Sequence, residues 1–143
     1  MKAASSPKMT FVNSPFEPLL KNAKRIAVVG VSDKPARDSH RIARYLQQAG
    51  FEMLPVNPLL SEVLGQKVYA SLAEIPEPVD IVNVFRRSEE VPDLVEQAIA
   101  AGAKAIWLQF GVIHEPAAEK ARKAGLSVVM DRCIMVDHAR LLL

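Results

Sequence analysis

Cysteine, long apolar runs and net charge are all scarce in this sequence, and each scarcity removes a class of protein. Cys133 is the only cysteine among 143 residues, so no internal disulfide can form and a reducing compartment is the simpler expectation. No stretch approaches the ~18 consecutive apolar residues of a spanning helix. Near the N-terminus, Ser5, Ser6, Pro7, Lys8 and Asn13 interrupt every candidate apolar stretch after Lys2, so no secretory signal is expected. The formal charge of +2 is too small to point to nucleic acid or to a membrane surface as partner. No Cys/His cluster has metal-ligand spacing, so no metal site is expected. Repeats and low-complexity segments are also missing. A cytoplasmic protein is the expectation.

What is present fits one globular domain. Half of the residues are hydrophobic and 24% are charged, and a chain of this length buries roughly 68–70% of its unfolded surface. Residues Met1–Asn13 read as a loose polar leader and 14–143 as the domain. Ser14 offers an N-cap, with Pro15 at the first position of a short helix through Leu19 and Leu20. Five short apolar runs read as strands covered on both faces: Ile26–Gly30, Met53–Val56, Ile81–Phe85, Ala105–Leu108 and Val128–Met130. Lys67–Tyr69 is a weaker sixth, placed at an edge.

Between the runs lie helical patterns. Ile42, Tyr45, Leu46 and Ala49 share one face, as do Val91, Leu94, Val95 and Ala98, and a third helix starts near Pro116 with Ala117, Ala121 and Ala124 inward. These three helices end in Ala-Gly at 49–50, 101–102 and 124–125, where glycine takes the left-handed closing conformation. The last segment is expected to be a helix burying Met135, Val136, Ala139 and Leu142. Strand–helix alternation of this spacing predicts a single three-layer, Rossmann-like α/β domain with a mostly parallel sheet of five or six strands.

In such a sheet a ligand sits beyond the carboxyl ends of the strands, where strand order reverses. The first and third predicted strands flank that point. Their loops bring together Gly30, Val31, Ser32, Lys34, Pro35, Arg37 and Ser39 with Phe85, Arg86 and Arg87. The first loop enters a helix N-terminus, whose free amides favour an anion. The dinucleotide fingerprint G-x-G-x-x-G is incomplete: Ser32 and Pro35 replace its second and third glycines, and Asn57-Pro58 follows the second strand without an acid for a ribose diol. NAD and FAD are therefore disfavoured. Arg86 and Arg87 suit a ligand with additional phosphate, although a solvated arginine pair reads the same way. His40 reads as a solvent-facing helix residue, Trp107 as core or rim, and Cys133 as a small buried residue.

Six segments in fixed order resemble a known family: Gly30 to Arg37, Leu54 to Pro58, Tyr69 to Leu72, Val84 to Arg87, Trp107 to Gly111 and Met130 to Val136. The sequence is similar to the stand-alone CoA-binding domain proteins, relatives of the N-terminal domain of the succinyl-CoA synthetase α subunit. The resemblance implies a coenzyme A or acyl-CoA ligand. It places Val31, Ser32, Lys34, Pro35 and Arg37 at the diphosphate and pantetheine end, and Asn57 and Pro58 near the ribose phosphate. Phe85, Arg86 and Arg87 would flank the adenosine, and Gln109 and Gly111 the pantetheine arm. No catalytic residue is implied. The expectation is a non-catalytic sensor, carrier or regulatory module, with a protein partner left open. An enzyme using a dinucleotide or transferring an acyl group, or a subunit of a larger CoA ligase, is the alternative.

Overall fold

The computed structural model describes residues 11–143. Five strands form one parallel sheet: β1 (Arg25–Val29), β2 (Glu52–Val56), β3 (Ile81–Val84), β4 (Ala105–Leu108) and β5 (Ser127–Met130), in the order β2-β1-β3-β4-β5. The order reverses at β1, between the two strands whose loops the sequence brought together. Five α-helices flank the sheet: α1 (Phe16–Asn22), α2 (Asp38–Gln48), α3 (Val91–Ala100), α4 (Glu115–Lys123) and α5 (Ile134–Leu141).

The strands are mostly apolar because both of their faces are covered, with Asn83 a buried polar exception. Ala27, Val29, Leu54, Val56, Val82 and Val84 pack against α3 and α4. Ile26, Val28, Met53, Ile81 and Trp107 pack against α1, α2 and α5. Alternate side chains thus feed two separate cores, which makes the three layers. Trp107 is fully buried and donates Nε1–H to the Arg132 carbonyl at 2.9 Å.

Both sheet edges are closed. At β2, Tyr69 forms a single parallel bridge: its N–H donates to the Pro55 carbonyl and its carbonyl accepts from Asn57 N–H, each at 2.9 Å. The expected sixth strand is thus reduced to one bridge, because Gln66–Lys67 instead pairs antiparallel with Glu62–Val63 in a separate hairpin. Pro55 is tolerated because its missing N–H faces this outer edge, away from the ladder with β1.

At β5, Ser14 N–H donates to the Val128 carbonyl at 2.8 Å while Ser14 Oγ accepts from Val128 N–H at 2.9 Å. Asn13 repeats the pattern on Met130, at 2.7 and 3.2 Å. Ser14 was expected to cap α1; it caps the sheet edge instead, and Pro15 stands at the helix N-cap. Of the leader expected over 1–13, residues 1–10 lie outside those described, while Phe11 packs on the core and Asn13 holds Met130.

Helix α5 is present, but its buried face differs from the expected one. Ile134 and Asp137 are inward, while Val136 and Leu142 are exposed. An ion pair turned the helix: Arg132 Nε and Nη2 donate to the two Asp137 oxygens at 2.7 and 2.8 Å.

Helices α2 and α5 meet where the Tyr45 hydroxyl lies 2.8 Å from His138 Nδ1, with Phe51 edge-on to the imidazole. Burial lowers the His138 pKa below its ordinary value. A histidine that resists protonation in the fold but not when unfolded stabilises the protein above about pH 6.5, and that contribution is lost as pH falls through the folded pKa. Urea unfolding should therefore show stability falling from pH 7.5 to 5.5. In His138→Gln this slope should flatten.

Candidate functional site

Gly30 ends β1 and fixes the geometry of the crevice. Its N–H donates to the Val56 carbonyl at 2.9 Å, and its φ is +89°. A Cβ at this position would lie 2.6 Å from the Phe85 carbonyl oxygen and 2.8 Å from Arg86 Cδ. Only glycine lets the loops after β1 and β3 approach so closely.

The chain then turns through residues 31–37 into α2. Ser32 N–H donates to Ser39 Oγ at 2.9 Å, and Lys34 N–H donates to Ser32 Oγ at 3.0 Å. Both hydroxyl oxygens act as acceptors within the protein, so both hydroxyl protons remain for another group. The first amides of α2, from Asp38 to His40, have no helical carbonyl to bind, and no side chain caps this terminus. Asp38 and Ser39 border a cavity of about 600 Å³ lined also by Gly30, Val31, Ser32, Asp33, Arg37 and Asn57, with Phe85 at its side, so two acids stand on the wall of this cavity.

The predicted site residues divide around the sheet. Asn57 lines this first cavity, and its amide is engaged: Oδ1 accepts from Leu59 N–H at 2.8 Å, and Nδ2 donates to the Val31 carbonyl at 2.9 Å. It ties the loops after β1 and β2 together, with one Nδ2 hydrogen left over. Lys34 and Pro35 are exposed in the loop itself. Among the described residues, neither Lys34 nor Arg37 has an ion-pair partner.

Pro58 and Arg86 face the other side of Gly30, in a hollow of about 420 Å³ against α3. Arg86 is not free there. Its Nε and Nη2 both hold the Glu90 carboxylate at 2.8 Å, and Arg87, largely exposed, reaches the same group at 3.4 Å. The Arg86 hydrogen bond holds the Glu90 carboxyl below the usual range, against an opposing effect of burial. The arginine pair expected to project into one crevice is therefore partly neutralised by Glu90, in the turn that leads into α3, beside Glu89 and Asp93.

Gln109 closes the β4 end. Its Oε1 accepts from Asn83 Nδ2 at 3.2 Å and from Ile134 N–H at 3.3 Å, and it lines a third hollow of about 560 Å³ over β4 and β5. Gly111 N–H donates to Asp131 Oδ1 at 2.8 Å, joining the loops after these two strands.

Sequence reasoning missed Leu59 and Leu60 in the first cavity, and Phe110, Arg132, Met135 and Val136 in the third hollow. The signal was available at three of them. Phe110 stands between two residues already selected, and Leu59-Leu60 are apolar residues in a turn. His40, expected to face solvent, is buried in α2 with no hydrogen-bond partner on Nδ1. Cys133, expected to be buried, is half-exposed at the N-cap of α5 and lines the third hollow. Among the described residues no cluster of side chains suits a metal ion, and no helix is long and apolar enough to cross a membrane.

A parallel sheet wound in both directions from β1, with a glycine-floored crevice at the reversal, defines a Rossmann-like α/β domain. More narrowly, the chain belongs to the CoA-binding domain family, whose model matches residues 24–139. It is 48% identical over 121 residues to the uncharacterized protein YneT of Bacillus subtilis, covering 85% of this chain and 90% of that protein. It is 32% identical over 124 residues to the α subunit of ADP-forming acetate–CoA ligase I of Pyrococcus furiosus. That match covers 76% of this chain but 27% of the subunit. A solved hypothetical protein from Pyrococcus horikoshii superposes with a TM-score of 0.86 at 41% identity, covering 90% of each chain.

Proposed function

We propose that this domain binds coenzyme A or its thioesters at the β1–β3 crevice and performs no chemistry on them alone. The uncapped N-terminus of α2, opening on the first cavity beside two serine hydroxyl protons, carries the reading. Amides and a helix dipole arranged in this way favour a diphosphate. The Gly30 cradle, which a Cβ would fill, lets such a group approach the backbone.

In this reading Val31, Ser32, Lys34, Pro35, Arg37 and Ser39 surround the diphosphate, and Lys34 and Arg37, neither held in an ion pair, supply charge against Asp33 and Asp38, which line the same cavity. Pro58 and the spare Asn57 hydrogen approach the ribose phosphate, Phe85, Arg86 and Arg87 flank the adenosine, and Gln109 and Gly111 border the pantetheine arm. Against catalysis stands the position of His40, the histidine nearest the phosphate loop, which is buried and lines none of the three cavities. A second reading, as one module of a larger CoA ligase, is favoured by the likeness to the Pyrococcus furiosus subunit. A cytoplasmic location fits either reading.

Calorimetric titration checks the proposal. CoA should bind at least 10-fold more tightly than dephospho-CoA, the loss of about 1.5–3 kcal/mol expected for a charged contact, and far more tightly than NAD. Equal affinity for CoA and dephospho-CoA would discard the 3′-phosphate contact.

A further inference from the structure

The third hollow differs in character from the phosphate cavity that it adjoins. The two share Phe85 and Asp38, so they form one continuous trough along the carboxyl ends of the strands. From β1 to β4 is two strand spacings, about 10 Å, a reach that an extended arm from the diphosphate covers. The hollow is walled by Ile42, Phe85, Phe110, Met135 and Val136. Phe110 is 75% exposed and Val136 42%, so two apolar side chains meet water at its mouth.

Its charged residues are largely satisfied within the protein. Arg132 is held by both oxygens of Asp137, Arg41 by Asp38 at 2.9 Å, and Asp131 accepts from Gly111 N–H. Arg140 stands 3.9 Å from Asp137. A second phosphate would find few unengaged donors here, whereas a hydrocarbon chain would cover Phe110 and Val136 and leave the ion pairs intact.

We propose that this hollow is an acyl-group pocket, and that the preferred ligand is a CoA thioester with a short apolar acyl chain rather than the free thiol. This rests on CoA binding at the adjoining crevice. The pocket is open on one side, so each added methylene should be worth about twofold in affinity, less than the roughly fourfold of full burial.

The experiment is a calorimetric series with CoA, acetyl-, butyryl-, hexanoyl- and succinyl-CoA on the wild type, Phe110→Ser and Val136→Asp. Both substitutions lie on the surface, and unchanged unfolding curves verify the fold. The expected result is a Kd that falls steadily from acetyl- to hexanoyl-CoA, weaker binding of succinyl-CoA than of butyryl-CoA, and loss of the chain-length dependence in both variants. Equal affinities across the series with CoA still bound would overturn the pocket and leave the CoA reading standing. Preference for succinyl-CoA would overturn it in favour of a carboxylate site at Arg140. A change of oligomeric state in Val136→Asp with the chain-length dependence intact would mean that the hollow receives a second copy of the chain, and would also overturn it. Failure of every compound, CoA included, would remove both readings together.

Discussion

Gly30→Ala should weaken CoA binding at least 100-fold and destabilise the protein by about 3 kcal/mol. Two effects combine. A side chain at φ +89° costs roughly 1–2 kcal/mol by itself. The new methyl group also meets the Phe85 carbonyl, a backbone atom that moves only if the end of β3 moves. Opening that contact separates the loops after β1 and β3, and the crevice between them loses its shape. The midpoint of thermal unfolding should drop by on the order of 10 °C.

Gly65→Ala is the matched control. Its φ is +74°, yet nothing lies within 4 Å of the added Cβ. It should cost about 1 kcal/mol and leave CoA affinity unchanged. If Gly30→Ala bound CoA within a few-fold of wild type, the close approach of the two loops would not matter for the ligand.

The second large effect is expected at Asp137, which is 1% exposed. Its two oxygens hold Arg132, whose guanidinium lies 5.2 Å over the Phe16 ring and whose carbonyl accepts from Trp107. The pair therefore fastens α5, the β5 loop and α1 to one another. Asp137→Ala strands the arginine and leaves a void. Breaking a buried pair costs about 3–5 kcal/mol, and partial solvation of Arg132 brings the expected loss to about 2–3 kcal/mol. Replacing both residues, as Arg132→Met with Asp137→Leu, should recover part of that loss, since no charge is then left without a partner. Urea denaturation of the two variants measures this directly. A loss under 1 kcal/mol for Asp137→Ala would mean that the pair does not hold the helix.

Much of this architecture was legible because burial on both faces leaves a plain mark in sequence. Ile26 to Val29 is an unbroken apolar run and Ile81 to Val84 is broken only by Asn83, and their strands start and stop within a residue of expectation. Strand–helix alternation implied the parallel sheet, and the reversal of strand order common to doubly wound sheets then placed Gly30 beside Phe85.

Three features escaped, each for a physical reason. The buried face of α5 is set by Asp137, a charged residue that reads as solvent-facing unless its partner Arg132 is known. Arg86 reads as a free cation, but Glu90, four residues on, folds back to hold it. Asn13 and Ser14 read as leader and cap, yet their side chains imitate backbone along the edge of β5, more than a hundred residues away. Periodicity carries no information about such distant polar partners.

In the proposed site, amides and hydroxyls at the start of α2 hold the diphosphate of CoA. The most direct measurement is a CoA titration followed amide by amide in nuclear magnetic resonance. The largest shifts are expected at Ser32, Asp38 and Ser39, saturating together with Asn57 and Phe85, and little change at Lys24 and Asp80 on the opposite end of the sheet. Saturable shifts confined to that opposite end, or none at all with millimolar CoA, would contradict that placement.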